Sequence, residues 1–124
     1  MTITRFQTLD VSQTVTIAQN ASMSGAIDLG VNTLVGIFMP AAIEATTTNL
    51  LFWTAPTLAG TYVQVYDGGT ALTIPMAVST YGKLAGIDDV FGLRFIKISV
   101  ATAAGVAVPQ ATALRLFTLA MMPI

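Results

Sequence analysis

Few side chains in this sequence could carry out acid–base, nucleophilic or metal chemistry. The chain has no histidine and no cysteine, which removes the usual general base near neutral pH, thiol catalysis and the commonest metal ligand. Asp88 and Asp89 are adjacent, and because successive strand residues point to opposite faces, they favour a turn or a helix cap over a catalytic pair. Asp67, before two glycines, favours a hairpin turn over a calcium site, which needs about six to eight oxygen ligands. We therefore predict that the protein is not an enzyme and has no catalytic, cofactor-binding or metal-binding residues.

Four aromatic residues could instead bind a ligand. Trp53, Tyr62, Tyr66 and Tyr81 could stack on sugar rings, because an aromatic ring with a polar tip suits a binding surface. The glycan-binding alternative assigns the stacking to Trp53, Tyr62 and Tyr81. No cluster of Asn, Asp, Gln or Arg accompanies them in the sequence. Packing in the core or at a subunit interface is therefore the favoured interpretation, and carbohydrate binding stays open as an alternative.

The composition is far more apolar than that of an ordinary small domain. Of the 124 residues, 54% are hydrophobic and 9% are charged, and the mean hydropathy is +0.76, whereas soluble domains average about 25% charged residues. A chain of 12.9 kDa is expected to form a single domain and to bury only about two-thirds of its unfolded surface. A monomer would leave much apolar surface in water, so we expect a homo-oligomer or a larger assembly.

Charge and hydropathy also limit the class of partner. The net charge is −1 and the five basic residues are scattered, which disfavours nucleic-acid binding, because that requires a dense positive surface. The longest apolar stretch, 34–43, is about half the roughly 20 residues that span a bilayer, and Pro40 interrupts it, so no membrane segment is predicted. The polar residues before Asp10 do not resemble a secretory signal, and we expect the chain to function without cleavage.

Short β-strands separated by turn residues account for most of the chain. Alternating polar and apolar residues at 12–18 are typical of a half-buried strand, and the apolar run 34–39 predicts a strand buried on both faces. Asp-Gly-Gly at 67–69 predicts the turn of a hairpin over 62–74. The pattern has no sustained helical period and favours an antiparallel sandwich or barrel of about eight strands, preceded by an extended arm at 1–11. Further strands are predicted at 26–29, 50–54, 61–66, 72–78, 94–100 and 114–122.

The last predicted strand is apolar on both faces. One face would carry Leu114, Leu116, Thr118, Ala120 and Met122, and the other would carry Arg115, Phe117, Leu119 and Met121. A sheet with one solvated face normally alternates apolar and polar residues, so this strand favours burial of both faces in an assembly.

Six motifs in the range 20–124 resemble small structural proteins of tailed bacteriophages. The first three are SGAIDLG at 24–30, LVGIFMPA at 34–41 and LLFW at 50–53. The other three are GTYVQVYD at 60–67, GLRFIKIS at 92–99 and QATALRLFTLAMMP at 110–123. The pattern is also similar to discoidin-like and galactose-binding-like jelly rolls, in which a strand of the Arg-Phe-Ile-Lys-Ile type follows a glycine.

The resemblance implies an all-β, antiparallel jelly-roll-like β-sandwich that serves as a capsid decoration or cement protein. Such a protein would form a homotrimer at capsid threefold positions, bind the major capsid protein and lie on the capsid exterior, after assembly in the host cytoplasm. No cofactor is implied. Related sandwiches often have a polar Ser-x-Asp-Gly loop where this chain has the apolar sequence 57–60, and this difference favours protein contact over carbohydrate contact.

Apolar segments in the arm, in the loop before the last strand and at the C-terminus are the candidate contacts with other copies or with the shell. These candidates are Arg5, Phe6, Leu9, Val106, Val108, Pro109, Met121, Met122 and Ile124. Two alternative functions stay open: a component of the neck, tail or head fibre of the virion, and a glycan-binding β-sandwich module.

Overall fold

The chain folds into β-strands joined by turns and loops. The computed structural model describes residues 12–84 and 93–123, and these contain no helix that could span a membrane. Their strands are β1 (Ser12–Ile17), β2 (Ile27–Asp28), β3 (Asn32–Phe38), β4 (Asn49–Thr54), β5 (Val63–Gln64), β6 (Tyr66–Asp67), β7 (Thr70–Ala71), β8 (Thr73–Pro75), β9 (Tyr81–Lys83), β10 (Phe95–Ala101) and β11 (Arg115–Pro123).

Two antiparallel sheets pack face to face as a β-sandwich. The front sheet has the strand order β1-β11-β3-β9. The back sheet has the order β2-β10-β4, and both β5 and β8 pair with the remaining edge of β4. β6 and β7 form a separate two-stranded hairpin. This arrangement confirms the predicted all-β, antiparallel class.

The hydrophobic core lies between the inner faces of the two sheets. Ile17, Ile37 and Phe117 from the front sheet meet Phe52 and Ile98 from the back sheet, and all five are fully buried. Each such side chain contributes roughly 1.5–3 kcal/mol to folding through its burial. Because strand residues alternate between faces, fixing these side chains inward also fixes which residues face outward.

Most predicted strands are confirmed, with small shifts at their ends. The stretch predicted at 61–66 is divided at Val65 into β5 and β6, which pair with β4 and β7 respectively. β9 has no strand signal in the sequence, because it is three residues long and has Gly82 at its centre. A Cβ at Gly82 would lie 2.6 Å from Ile74 Cγ2 and 2.8 Å from Met39 Cε, so only glycine lets the chain approach the core this closely. The predicted arm at 1–11 lies outside the described residues.

The turn predicted at 67–69 is confirmed. Gly68 and Gly69 occupy the two central positions between β6 and β7, with φ of +61° and +87°. Positive φ at both positions is characteristic of a type I′ turn, whose twist matches that of the paired strands. Glycine adopts this conformation without the steric penalty of a Cβ.

A buried polar network fastens the loop after β3 to the segment before β11. Gln110 has no exposed surface, and its Oε1 accepts hydrogen bonds from the Glu44 N–H (3.0 Å) and from Nε of Arg115 (3.1 Å). Its Nε2 donates to Thr47 Oγ1 (3.2 Å) and to the Val108 carbonyl (3.0 Å). All four hydrogen-bonding positions of the amide are used, so the two segments are held in one arrangement.

Candidate functional site

The outer surface of the front sheet, here called the front face, is almost free of charge. Directly paired residues stand side by side on one face of a sheet. One row across the four strands contains Thr14, Thr118, Phe38 and Tyr81, and the next row contains Ser12, Ala120, Gly36 and Lys83. Among the described strand residues, Lys83 on the edge strand β9 is the one charged side chain of this face. A sheet face in contact with water normally carries polar and charged side chains, so the front face has the composition of a surface that is covered.

Phe38 and Tyr81 form an aromatic pair on the front face. Their ring centroids are 4.7 Å apart and their planes are inclined by 48°, within the usual range for paired rings. The Tyr81 ring lies over Gly36, where a Cβ would collide with it. Burial raises the pKa of the Tyr81 hydroxyl, so the ring is neutral at physiological pH. The two side chains are 39% and 37% exposed, and they present uncharged aromatic surface to a partner.

An apolar hollow continues the front face at the start of β11. It has a volume of about 390 Å³ and is lined by Pro40, Ala41, Ala42, Leu114, Arg115 and Leu116. Leu114 and Leu116 are 59% and 51% exposed. The Arg115 guanidinium is mostly buried and engages Gln110 and Glu44, so the surface that a partner would contact is largely apolar.

The outer surface of the back sheet differs from the front face because it carries charged side chains that are paired with neighbours. Nε and Nη2 of Arg94 donate to the two carboxylate oxygens of Asp28 at 2.9 and 3.1 Å. These bonds, together with the Gly30 N–H, hold the pKa of the Asp28 carboxyl below its usual value. Arg94 also stacks over the Phe95 ring, 4.9 Å from its centroid.

The four aromatic residues considered for sugar stacking are divided among the two sheets and the β6–β7 hairpin, which carries Tyr66. Lys97 Nζ lies 4.6 Å from the centroid of the Tyr62 ring, and Lys97 is paired directly with Trp53 across the strands. Trp53 in turn donates from Nε1 to Ser99 Oγ at 2.8 Å. Trp53 and Tyr62 are thus brought together around a lysine, whereas Tyr81 lies on the front sheet.

A half-open groove lies on the back sheet next to this lysine cluster and is here called the back groove. It has a volume of about 310 Å³. Outward-facing residues of β4, β5 and β8 form its floor, the β6–β7 hairpin forms one wall, and the loop after β10 forms the other. Its lining residues are Asn49, Leu51, Gln64, Tyr66, Ala71, Thr73, Ala103, Ala104 and Gly105. None of these side chains is charged.

The interface candidates that were predicted from the sequence differ in how far the structure exposes their side chains. Val106 is 62% exposed and Pro109 is exposed, both on the loop between β10 and β11. Met122 is half-buried at the end of β11. Val108 and Met121 are only 8% and 5% exposed, and Met121 belongs to the core cluster, so their side chains are not available to a partner in this structure. Arg5, Phe6, Leu9 and Ile124 lie outside the described residues.

The alternation predicted for the last strand is confirmed, but the sequence does not show which face is the core. Phe117, Leu119 and Met121 point inward, whereas Leu116 and Met122 lie on the front face. Phe38 was not among the predicted contact residues, Tyr81 was predicted for the core or a subunit interface, and Leu116 was predicted only as part of a strand with two apolar faces. The sequence signal for Leu116 is the alternation of the strand: Leu116 precedes Phe117, which is buried, and therefore points to the opposite, outer face. Phe38 and Tyr81 can be placed on this face only through the pairing of β3 with β9.

Within residues 12–84 and 93–123, no group of three or more His, Cys, Asp or Glu side chains is placed to hold a metal ion. Asp88 and Asp89 fall in the segment between these ranges.

Comparison with protein-family models, with curated proteins and with solved structures finds no match to this chain. The front face and the back groove are the two surfaces of the described chain that have the features of an interaction site.

Proposed function

We propose that this protein is a non-enzymatic structural protein of a bacteriophage virion, a capsid decoration or cement protein that self-associates and stabilises the shell of the major capsid protein. The front face is the observation that carries the proposal. Among the described strand residues, its rows of threonine, alanine and aromatic side chains carry one charge, on Lys83 at the edge, so covering them removes little charge from water and gains hydrophobic stabilisation. The resemblance to phage structural proteins supplies the virion context.

A second copy of the same chain is the occupant proposed for the front face. Around a threefold axis the same surface of each copy approaches its neighbours, so like charges on that surface would repel. Among the described strand residues of the front face, only Lys83, at its edge, is charged. Phe38, Tyr81 and Leu116 supply partly exposed apolar side chains for packing. A homotrimer is the assembly that the phage resemblance implies.

The strand order supports the proposal that the sandwich is a jelly roll. Taken along the chain, β1, β3, β9 and β11 lie in the front sheet, and β2, β4, β8 and β10 lie in the back sheet. The chain crosses between the sheets at each step except from β4 to β8. Two four-stranded sheets connected in this way are typical of the jelly rolls found in viral capsid proteins and lectins.

The loop between β10 and β11 is the proposed contact with the shell. Its turn is fixed by hydrogen bonds from the Gly105 N–H to the Thr102 carbonyl (2.9 Å) and from the Val106 N–H to the Thr102 hydroxyl (3.2 Å). The turn holds the apolar Val106 side chain in solvent, and Pro109 is exposed farther along the loop. A protein that binds only the assembled lattice stabilises that lattice by mass action.

The first test is the mass of the purified protein by light scattering at several concentrations. We expect three times the 12.9 kDa chain mass, and a monomer at every concentration would overturn the self-association. Leu116→Asp should reduce the mass to that of a monomer, because it puts a charge into the front face. Leu58→Asp is the matched control, since Leu58 is 48% exposed against 51% for Leu116 but lies outside the front face. Loss of the trimer in both variants would contradict the assignment of the face.

The second test is sedimentation of the protein with shells assembled from the major capsid protein of the phage that carries it. Binding and a higher unfolding temperature of the decorated shell are the expected results, and Val106→Asp should weaken both. Labelling of virions with an antibody against the chain distinguishes the possible positions. Labelling confined to the neck, tail or fibres would replace the capsid assignment with the corresponding alternative.

A further inference from the structure

We propose that the back groove binds a neutral oligosaccharide through Asn49, Gln64, Thr73 and Tyr66. The register places these residues close together, because Thr73 pairs with Leu51 of β4, and Gln64 pairs with Trp53 on the same strand. Gln64 lies beside Trp53, which is four residues after Asn49 along β4. The distance between the two amide side chains along the strand is therefore about 13 Å, at 3.3 Å per residue. A site of this length accommodates two linked sugar rings. The site is independent of the front face, although one of its walls belongs to the loop proposed to contact the shell.

The polar side chains of the groove are free to bind a ligand. The amides of Asn49 and Gln64 and the hydroxyl of Thr73 make no side-chain hydrogen bond to any described residue. An amide side chain presents a donor and an acceptor side by side, which matches a pair of neighbouring sugar hydroxyls. The two amides lie on either side of Leu51, whose side chain is 6% exposed and provides an apolar patch in the floor.

Tyr66 supplies the surface on which a sugar ring would stack. It is 60% exposed on the β6–β7 hairpin, and its planar ring has an apolar face and a polar tip. A pyranose ring likewise combines an apolar face of C–H groups with hydroxyls at its rim. The ring of Tyr66 and the free amides therefore offer contacts to both parts of the same ligand.

Both walls of the groove are fixed before a ligand binds. The hairpin that carries Tyr66 is closed by the Gly68 and Gly69 turn. The opposite wall, 103–105, is held by the Thr102 hydrogen bonds that also fix the shell-contact turn. Because its residues are alanine and glycine, this wall allows close approach. Preformed walls reduce the ordering entropy lost on binding.

The lack of charged side chains among the lining residues of the groove indicates which class of ligand it binds. Nucleotides and acidic sugars carry anionic groups that proteins usually bind with Arg or Lys, and the groove has neither among its lining residues. The nearest cation on this sheet, Lys97, is engaged with the Tyr62 ring. A neutral saccharide is therefore the ligand whose chemistry matches the free amides, the hydroxyl and the exposed ring.

The test is binding to an array of neutral and acidic glycans, followed by NMR titration of the intact protein with a neutral glycan that binds. We expect the side-chain amide signals of Asn49 and Gln64 to shift. Tyr66→Ala and Gln64→Ala should each lower the affinity about tenfold, as expected for loss of one stacking or one hydrogen-bonding contact. Both side chains lie at the surface, so the urea midpoints of these variants should stay close to that of the wild type.

Matched controls assign the site. Tyr62→Ala and Gln19→Ala alter a tyrosine and a glutamine outside the groove and should leave the affinity unchanged, and Leu116→Asp should also retain binding. Failure of self-association is thereby distinguished from failure of this proposal. The proposal would be overturned if the protein bound no glycan on the array, or if it bound acidic glycans alone. Binding that is lost with Tyr62→Ala but kept with Tyr66→Ala would also overturn it, because the site would then lie at the Lys97 cluster.

Discussion

Replacement of Gln110 by leucine tests whether the buried polar network determines the stability of the fold. The side chain keeps a similar volume, but Glu44 N–H and Arg115 Nε lose their acceptor, and Thr47 Oγ1 and the Val108 carbonyl lose their donor. A neutral hydrogen bond contributes about 1 kcal/mol and one to a charged group roughly 1.5–3 kcal/mol. The added apolar side chain recovers about 1–2 kcal/mol. We therefore expect Gln110→Leu to lower the free energy of unfolding by about 3 kcal/mol.

The assay is urea denaturation followed by the fluorescence of Trp53, the single tryptophan, at one fixed protein concentration because self-association adds to the apparent stability. Gln19→Leu is the control: Gln19 is exposed and donates to the Ala111 carbonyl at 3.0 Å, and its replacement should change the free energy of unfolding by less than about 0.5 kcal/mol. A loss of under about 1 kcal/mol for Gln110→Leu would refute the reasoning, since several buried groups would then have found other partners.

Three further substitutions test other parts of the structure. Gly82→Ala places a Cβ against Ile74 and Met39 and should lower the free energy of unfolding by about 1–3 kcal/mol in urea; an unchanged midpoint would contradict this packing. Asp28→Asn removes a carboxylate whose pKa is lowered, first by Arg94. Its stabilising effect is present above about pH 4 and is lost as the pH falls through the lowered pKa. Acid titration of unfolding should therefore be less steep in the variant, and identical slopes would exclude the effect. Gly36→Ala displaces the Tyr81 ring and should weaken self-association in light scattering; an unchanged mass would argue against the aromatic pair as a contact.

Local sequence signals were sufficient for the turn at 67–69 and for the alternation within long strands. Two consecutive glycines after Asp67 predict a turn because few other residues adopt positive φ at both positions. The alternation at 114–122 correctly separates Leu116 from Phe117, since the two faces of a strand are defined by its geometry alone. The strand at Tyr81–Lys83 has no such signal, because its pairing with β3 depends on residues more than forty positions earlier.

The candidate surfaces were only partly predictable. Val108 and Met121 were proposed as contacts because they are apolar and near loops or chain ends, but Met121 belongs to the hydrophobic core and Val108 is buried beside the β10–β11 loop. The burial of Gln110 also has no sequence signal, since glutamine is usually exposed and two of its four partners, Glu44 and Thr47, lie more than sixty positions earlier in the chain. The back groove likewise depends on the meeting of β4, β5, β8 and two loops.

The amino-acid sequence by itself determined the class of this protein: an all-β chain of unusually apolar composition, with glycine turns between short strands. Those properties depend on composition, backbone preference and the two-residue period, which act within a few residues. Only the tertiary structure decided which face of each strand is buried. It thereby placed Phe38, Tyr81 and Leu116 on one face with a single charged strand residue, Lys83, and Asn49, Gln64 and Tyr66 around one groove. Such choices require pairing between strands far apart in sequence, where the register of one strand sets the surroundings of every residue on its neighbour.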